Sequence, residues 1–259
     1  MKHLRLIIFM ILANTALSAG IASADGGAFA DENFSATIYL TTDYVSRGIS
    51  FSDENPAIQG TFDYTHPWGA FVGIWASSWD DLGYSNDIEL AYYAGYSGTV
   101  GGIGYTLTAN YYTYPGAKDD GFEFDYVEID TLLEYTIENT TLSPTFGLGY
   151  SYSPEYSWED GSSHYVHGML DLSLPKNFGL GFEVGYMDIE GNKTTPFGSG
   201  LDGKKGYGYL HWKVGLSTKL KGFGLDLSYH DTNEKDFFES FYGYNAGNSR
   251  IVFTLSRSI

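Results

Sequence analysis

The chain has 259 residues, a formal net charge of −18 and no cysteine, enough for one large all-β domain or two small ones. The missing cysteines exclude a disulfide-stapled scaffold and a Cys-ligated zinc site. With 14 Lys and Arg against 32 Asp and Glu, the chain lacks the clustered positive charge that phosphate binding needs, which argues against a nucleic-acid partner.

Residues 1–24 carry Lys2 and Arg5, then the apolar run Leu6 to Ala13, then Ala22-Ser23-Ala24. This is the order of a secretory signal, so export is expected, with Asp25 as the mature N-terminus. The apolar run is short for a membrane helix and is interrupted by Asn14 and Thr15, and no later stretch supplies the ~20 consecutive apolar residues a spanning helix needs. A membrane β-barrel is a different matter, because alternating lipid-facing and lumen-facing residues leave its mean hydropathy unremarkable.

After a short polar segment at 25–33, the period is two throughout. The first run sets Ala36, Ile38, Leu40, Thr42 and Tyr44 against Thr37, Tyr39, Thr41, Asp43 and Arg47; the second sets Ile58, Phe62 and Tyr64 against Gln59, Thr61 and Asp63. A strand near 68–79 has aromatics on both faces, which leaves its phase open. Then come Ile88, Leu90, Tyr92 and Ala94 against Asp87, Glu89 and Tyr93, a run at 101–113, and Val127, Ile129, Leu133 and Tyr135 against Glu128, Asp130 and Glu134. Runs at 141–153, 163–174, 178–188, 206–219, 222–231 and 249–259 complete twelve expected strands.

Between them, short and long connections alternate. Short ones fall near His66-Pro67-Trp68, Ser97 to Val100, Glu138 to Thr140, Pro175 to Asn177 and Leu220 to Lys221; long polar ones fall at 48–56, 79–86, 113–123, 153–162, 189–205 and 231–248. Outer-membrane barrels sort their connections this way, with short periplasmic turns and long external loops; a soluble sandwich has no reason to. Aromatic residues follow suit. Tyr44, Tyr111, Tyr150, Tyr152, Tyr186 and Tyr229 are expected to face outward at the loop ends, with Trp68, Tyr96, Tyr105 and Tyr135 at the turn ends, as interfacial girdles. The expectation is an all-β fold: a closed antiparallel transmembrane barrel of about twelve strands over 34–259.

The segment Thr41 to Asp80 resembles the TorF family of exported bacterial β-barrel proteins. The resemblance rests on Asp43-Tyr44-Val45, Arg47-Gly48-Ile49-Ser50, Pro56-Ala57-Ile58-Gln59-Gly60, Phe62-Asp63-Tyr64 and Gly73-Ile74-Trp75, and covers the first three strands. It implies a porin-like barrel in the bacterial outer membrane and carries no defined substrate.

The inward phase collects Asp43, Asp63, Glu89, Glu128, Asp130, Glu134, Asp171, Glu183 and Asp226 with Arg47, Lys213, Arg250, His167 and His211. All of these except Asp226 and Arg250 are the candidate pore-lining residues, and charges of both signs across a narrow wet tube give it an ion preference. The acidic excess predicts a weak preference for cations. Twelve strands make a barrel wider than the filled eight-stranded kind and narrower than the sixteen-stranded porins, which suits passive diffusion of small polar solutes or ions. The competing structural outcome is a lumen plugged by its own charge pairs and tyrosines. The expected surroundings are outer-membrane lipid and lipopolysaccharide, an oligomer being compatible with them.

Other chemistry reads more weakly. Inward glycines such as Gly73, Gly147, Gly149 and Gly185 are expected to relieve strain at bends or bulges rather than to open lumen volume opposite bulky tyrosines. Acidic loop pairs, Asp53-Glu54, Asp80-Asp81, Asp119-Asp120 and Glu159-Asp160, read as solvated loop charge, and the calcium-loop-like Asp231 to Glu239 lacks its glycine. No cofactor or metal site is expected. A hydrolase built on Ser162, Ser163 and His164 is disfavoured, because neighbours on a strand point to opposite faces.

Overall fold

The computed structural model describes residues 27–79, 87–117, 123–191, 206–235, 239 and 244–259; the expected signal lies outside them. Twelve antiparallel strands close into a barrel: β1 (Phe34–Thr41), β4 (Ala57–Thr65), β5 (Ala70–Ser78), β6 (Ile88–Val100), β7 (Ile103–Thr113), β8 (Tyr126–Thr136), β9 (Thr145–Ser153), β10 (Ser163–Leu174), β11 (Phe178–Ile189), β12 (Tyr207–Leu220), β13 (Phe223–Thr232) and β14 (Arg250–Ser258). Two further strands, β2 (Val45–Ser46) and β3 (Ile49–Ser50), form a separate small hairpin. Each barrel strand pairs with its neighbours in chain order, and β14 closes on β1 in the register Thr37↔Ser258 to Thr41↔Thr254. Closure removes the sheet edges that could not be satisfied in hydrocarbon.

The alternation in the sequence becomes two surfaces. Ile38, Phe62, Leu107, Leu148, Val184 and Leu227 stand on the exposed outer face, whereas Asp63, Glu89, Glu128, His167 and His211 are buried inside. Lys or Arg at the lipid midplane costs roughly 2–4 kcal/mol. A one-residue slip would turn a whole strand over, so the charged residues fix the phase as firmly as the apolar ones do. The phase of β5, left open by its sequence, is settled by its burial: Phe71, Trp75 and Ser77 lie inward and Val72 outward.

Turns bound the strands for local reasons. Gly101 and Gly102 link β6 to β7, and Lys221 and Gly222 link β12 to β13, all with positive φ, as two-residue hairpins of the primed type require. The β8–β9 link is longer than its sequence suggests. Ser143 has positive φ, Pro144 has no amide hydrogen to give a ladder, and Ile137 N donates to Pro144 O at 2.9 Å, so β9 begins at Thr145 rather than near 141. The polar N-terminal stretch is tied to the turn end, where Tyr64 Oη donates to Ala28 O at 2.7 Å and Asn33 Nδ2 to the same oxygen at 2.9 Å.

Both aromatic bands are present, with one exception. At the turn end Phe29, Tyr64, His66, Trp68, Tyr96 and Tyr105 form a row of successive ring contacts. At the loop end Tyr111, Tyr150, Tyr152, Tyr186 and Tyr229 face outward. Tyr44 does not: it is 3% exposed and its hydroxyl donates to Glu89 inside the barrel. The strand that was expected to carry it ends at Thr41, and the chain then turns into the lumen.

The inward glycines are packing slots rather than bends. None of Gly73, Gly147, Gly149 or Gly185 has positive φ. A Cβ on Gly149 would come within 2.1 Å of His167 Cε1, on Gly73 within 2.5 Å of Tyr93 Cζ, and on Gly185 within 2.4 Å of His211 Nε2. Large side chains on one strand therefore lie over the bare backbone of the next. Gly149→Ala is expected to destabilise the barrel by about 1–3 kcal/mol through overpacking against His167, read as a lowered denaturation midpoint in detergent micelles, whereas Gly168→Ala, with no atom within 4 Å of its added Cβ, is expected to leave it unchanged.

Candidate functional site: an occupied lumen

The loop between β1 and β4 is the main feature of the lumen. At its tip Arg47 and Gly48 both have positive φ, making a primed two-residue turn between β2 and β3. A side chain is excluded at Gly48 twice over: its φ is +82°, and an added Cβ would meet His211 Cβ at 2.6 Å and Thr232 Cγ2 at 2.7 Å. The hairpin tip thus rests against the inner wall of β12 and β13. Val45 and Ile49 are 5% and 2% exposed, so this is a packed element and not a solvent loop.

Its base is held by Asp43. One carboxylate oxygen accepts Arg250 Nη1 at 2.7 Å, and the other accepts the hydroxyls of Ser50 and Ser52 at 2.7 and 2.9 Å. Arg250 also donates to the carbonyls of Asn245 and Ala246, and Ser50 N donates to Ala246 O, which joins this hairpin to the last long loop. Tyr44 and Tyr114 both donate to Glu89, at 3.0 and 3.3 Å.

From the tip, Arg47 reaches toward the opposite wall. Its Nη2 lies 2.6 Å from Glu128 Oε1 on β8, its Nη1 lies 3.6 Å from Met187 Sδ on β11, and its Cζ sits 4.4 Å from the centroid of the Tyr165 ring on β10. Burial alone would lower the pKa of Arg47, but the Glu128 carboxylate outweighs this and holds it well above its ordinary value. The guanidinium is therefore charged wherever the barrel is folded. Beside it a cavity of about 60 Å³ is lined by Tyr112, Tyr126, Tyr156 and Tyr209 among others.

The remaining candidate residues fall into groups. Asp63 accepts the hydroxyl of Tyr93, which crosses the Gly73 slot, and Asp130 accepts Asn110 Nδ2 at 2.5 Å. His211 meets the Tyr165 hydroxyl at 2.9 Å and lies 3.9 Å from Glu183, whose strand partner is Lys213. His167 stacks on Tyr165, and its two ring nitrogens have no hydrogen-bond partner among the described residues. Asp171 pairs across strands with Thr145 and Gly181, and Glu134 with Gly104 and Gly147, nearer the turn end. Asp226 belongs to the wall of a second, larger cavity of about 630 Å³ at the turn end, where Thr37, Tyr39, Ser217, Thr254 and Ser256 contribute hydroxyls. The lumen is thus filled toward the loops and roomy toward the turns.

Sequence reasoning did not single out Tyr165, Met187 or His230, although all three lie on inward phases of their strands. The disfavoured hydrolase set does not assemble. His164 faces outward and shares a 2.8 Å hydrogen bond with Tyr150, Ser163 is buried, and Ser162 donates to Glu190. In the calcium-like segment, Lys235 instead pairs with Asp231 at 2.8 Å; residues 236–238 of that segment and the pairs Asp80-Asp81 and Asp119-Asp120 lie outside the described residues.

A family model matches residues 25–259, the whole barrel and the stretch before it; its description is a bacterial protein of unknown function (Gcw_chp). The chain belongs to the Gcw_chp family. A search of curated proteins gives no sequence match. Among solved structures, the Gcw_chp chain is similar to the KdgM porin, with a TM-score of 0.54 and 9% identity over 87% of this chain and 99% of that one. The NanC porin gives the same TM-score and identity over 85% and 97%, and LpxR from Salmonella typhimurium gives 0.48 and 9% over 87% and 99%. At 9% identity the likeness to KdgM and NanC is one of fold alone, that of a closed barrel.

Proposed function

We propose that this Gcw_chp protein is a channel of the bacterial outer membrane that passes small polar solutes or ions by passive diffusion, with a preference for cations. The observation that carries this reading is the inversion of the barrel: an apolar exterior around an interior of ionisable side chains, opening at the turn end into a cavity of about 630 Å³. Such an arrangement has no use in water and suits a wet tube through lipid. The fold shared with KdgM and NanC, both titled porins, and the resemblance of Thr41 to Asp80 to the TorF family support it. Acidic side chains outnumber basic ones along the inward phase, so the averaged potential favours cations. The partners are lipid, lipopolysaccharide and the permeating solutes; the chain acts as no enzyme.

Planar-bilayer recording across a salt gradient tests this. Current steps with a reversal potential on the cation side are expected; silence, or a reversal on the anion side, would overturn it. A second reading, a non-conducting structural or adhesive barrel, draws on the inserted hairpin and its buried ion pairs, and silence in both the native protein and an Arg47→Ala variant would favour it.

A further inference from the structure

The pocket that holds Arg47 has the composition of a ligand site. A guanidinium carbon sits over an aromatic face at 4.4 Å, a carboxylate oxygen lies 2.6 Å from one nitrogen, and a thioether sulfur lies 3.6 Å from another. These groups come from three different barrel strands, β10, β8 and β11, while the cation comes from the loop hairpin. Stacking on a phenol ring and charge-assisted bonding to a carboxylate are the two interactions by which proteins recognise guanidinium groups.

The wall also has unused capacity. Glu128 is 1% exposed, and its second oxygen, Oε2, has no hydrogen-bond partner among the described residues, although a planar guanidinium can bond both oxygens of a carboxylate at once. The tethered side chain makes only one such bond because its position is set by the hairpin backbone. A free ligand has no such constraint. The adjoining cavity of about 60 Å³, lined by tyrosines, gives it a place to leave its alkyl chain.

We propose that Glu128, Tyr165 and Met187 form a binding site for solutes carrying a guanidinium group, and that Arg47 is the site's tethered occupant. Guanidinium-bearing solutes are then the class this lumen recognises, competing with Arg47 for the carboxylate. The inference rests on the channel reading for how the solute arrives, but binding can be measured without transport.

The test is titration calorimetry in detergent with agmatine as the guanidinium probe and 1,4-butanediol as the neutral control. Arg47→Ala is expected to bind agmatine at least about tenfold more tightly than the native protein, and the added change Glu128→Gln to reverse this by roughly ten- to hundredfold, the effect of losing a charge-assisted bond. Equal binding by the native protein and Arg47→Ala, undiminished binding after Glu128→Gln, or equal binding of butanediol would each overturn the site. Should Arg47→Ala fail to fold, Arg47→Gln, which keeps the length and loses the charge, is read by the same criteria. Agmatine binding without current in bilayers would sink the channel and leave the site standing; current without agmatine binding would sink the site alone.

Discussion

Asp43→Ala is expected to free the hairpin from the lumen without opening the barrel. Asp43 and Arg250 are 6% and 7% exposed at the side chain and 2.7 Å apart, and removing one partner of such a pair costs about 3–5 kcal/mol because the other charge is left uncompensated. Here the loss is unevenly shared. Arg250 keeps the Glu54 carboxylate at 3.8 Å and three carbonyl acceptors, Asn245, Ala246 and Asn248, whereas Ser50 and Ser52 lose the carboxylate oxygen that gathers them. The hairpin side is therefore the side that yields. No ladder pair of the barrel involves Asp43, so the cylinder stays closed. Two measurements follow. Trypsin is expected to cut after Arg47 in the variant and not in the native protein, where Arg47 is 9% exposed at the side chain, and single-channel conductance is expected to rise severalfold. An Arg47 that stays protected, with conductance unchanged, would mean that Asp43 does not anchor the hairpin.

The cylinder was legible in the sequence and its contents were not, for different physical reasons. Strands such as β8 and β11 announce themselves because hydrocarbon and water impose opposite requirements on neighbouring residues, and the requirement repeats over 11 and 12 residues. Sorting of short turns from long loops carries the topology in the same local way. The hairpin depends on distant partners. Arg47 meets Glu128 81 residues on, and Asp43 meets Arg250 207 residues on; between Asp43 and Asn55 the chain is rich in Ser, Asp and Glu and reads as a solvated loop. One local signal was there to be used: Arg47-Gly48 between Val45-Ser46 and Ile49-Ser50 is a two-residue glycine turn flanked by alternating residues. The glycine slots stayed hidden for a related cause. A strand glycine opposite a bulky residue looks like a bend until the tilt of the neighbouring side chain is known, and His167 over Gly149 shows that tilt only in the closed sheet.

Position 214 gives the sharpest measure of the outer face. Lys213 and Val214 are adjacent near the middle of β12, and the chain already carries a lysine at the first of them. Val214 pairs with Phe182 and Tyr229, both on the outer surface, and is 38% exposed, so Val214→Lys would place an ammonium group among hydrocarbon chains. A cost of roughly 2–4 kcal/mol is expected, read as a lower urea midpoint for the barrel folded into lipid vesicles. Ser217→Lys, on the same strand but facing the cavity of about 630 Å³, keeps its charge in water, and its cost is expected to stay within about 0.5 kcal/mol, as for a substitution at a wetted surface. The difference between the two variants is the quantity of interest, because both add the same side chain to the same strand, one toward hydrocarbon and the other toward the cavity. Equal tolerance at 214 and 217 would put water on both faces of the sheet, and the membrane assignment, with every channel property derived from it, would have to be withdrawn.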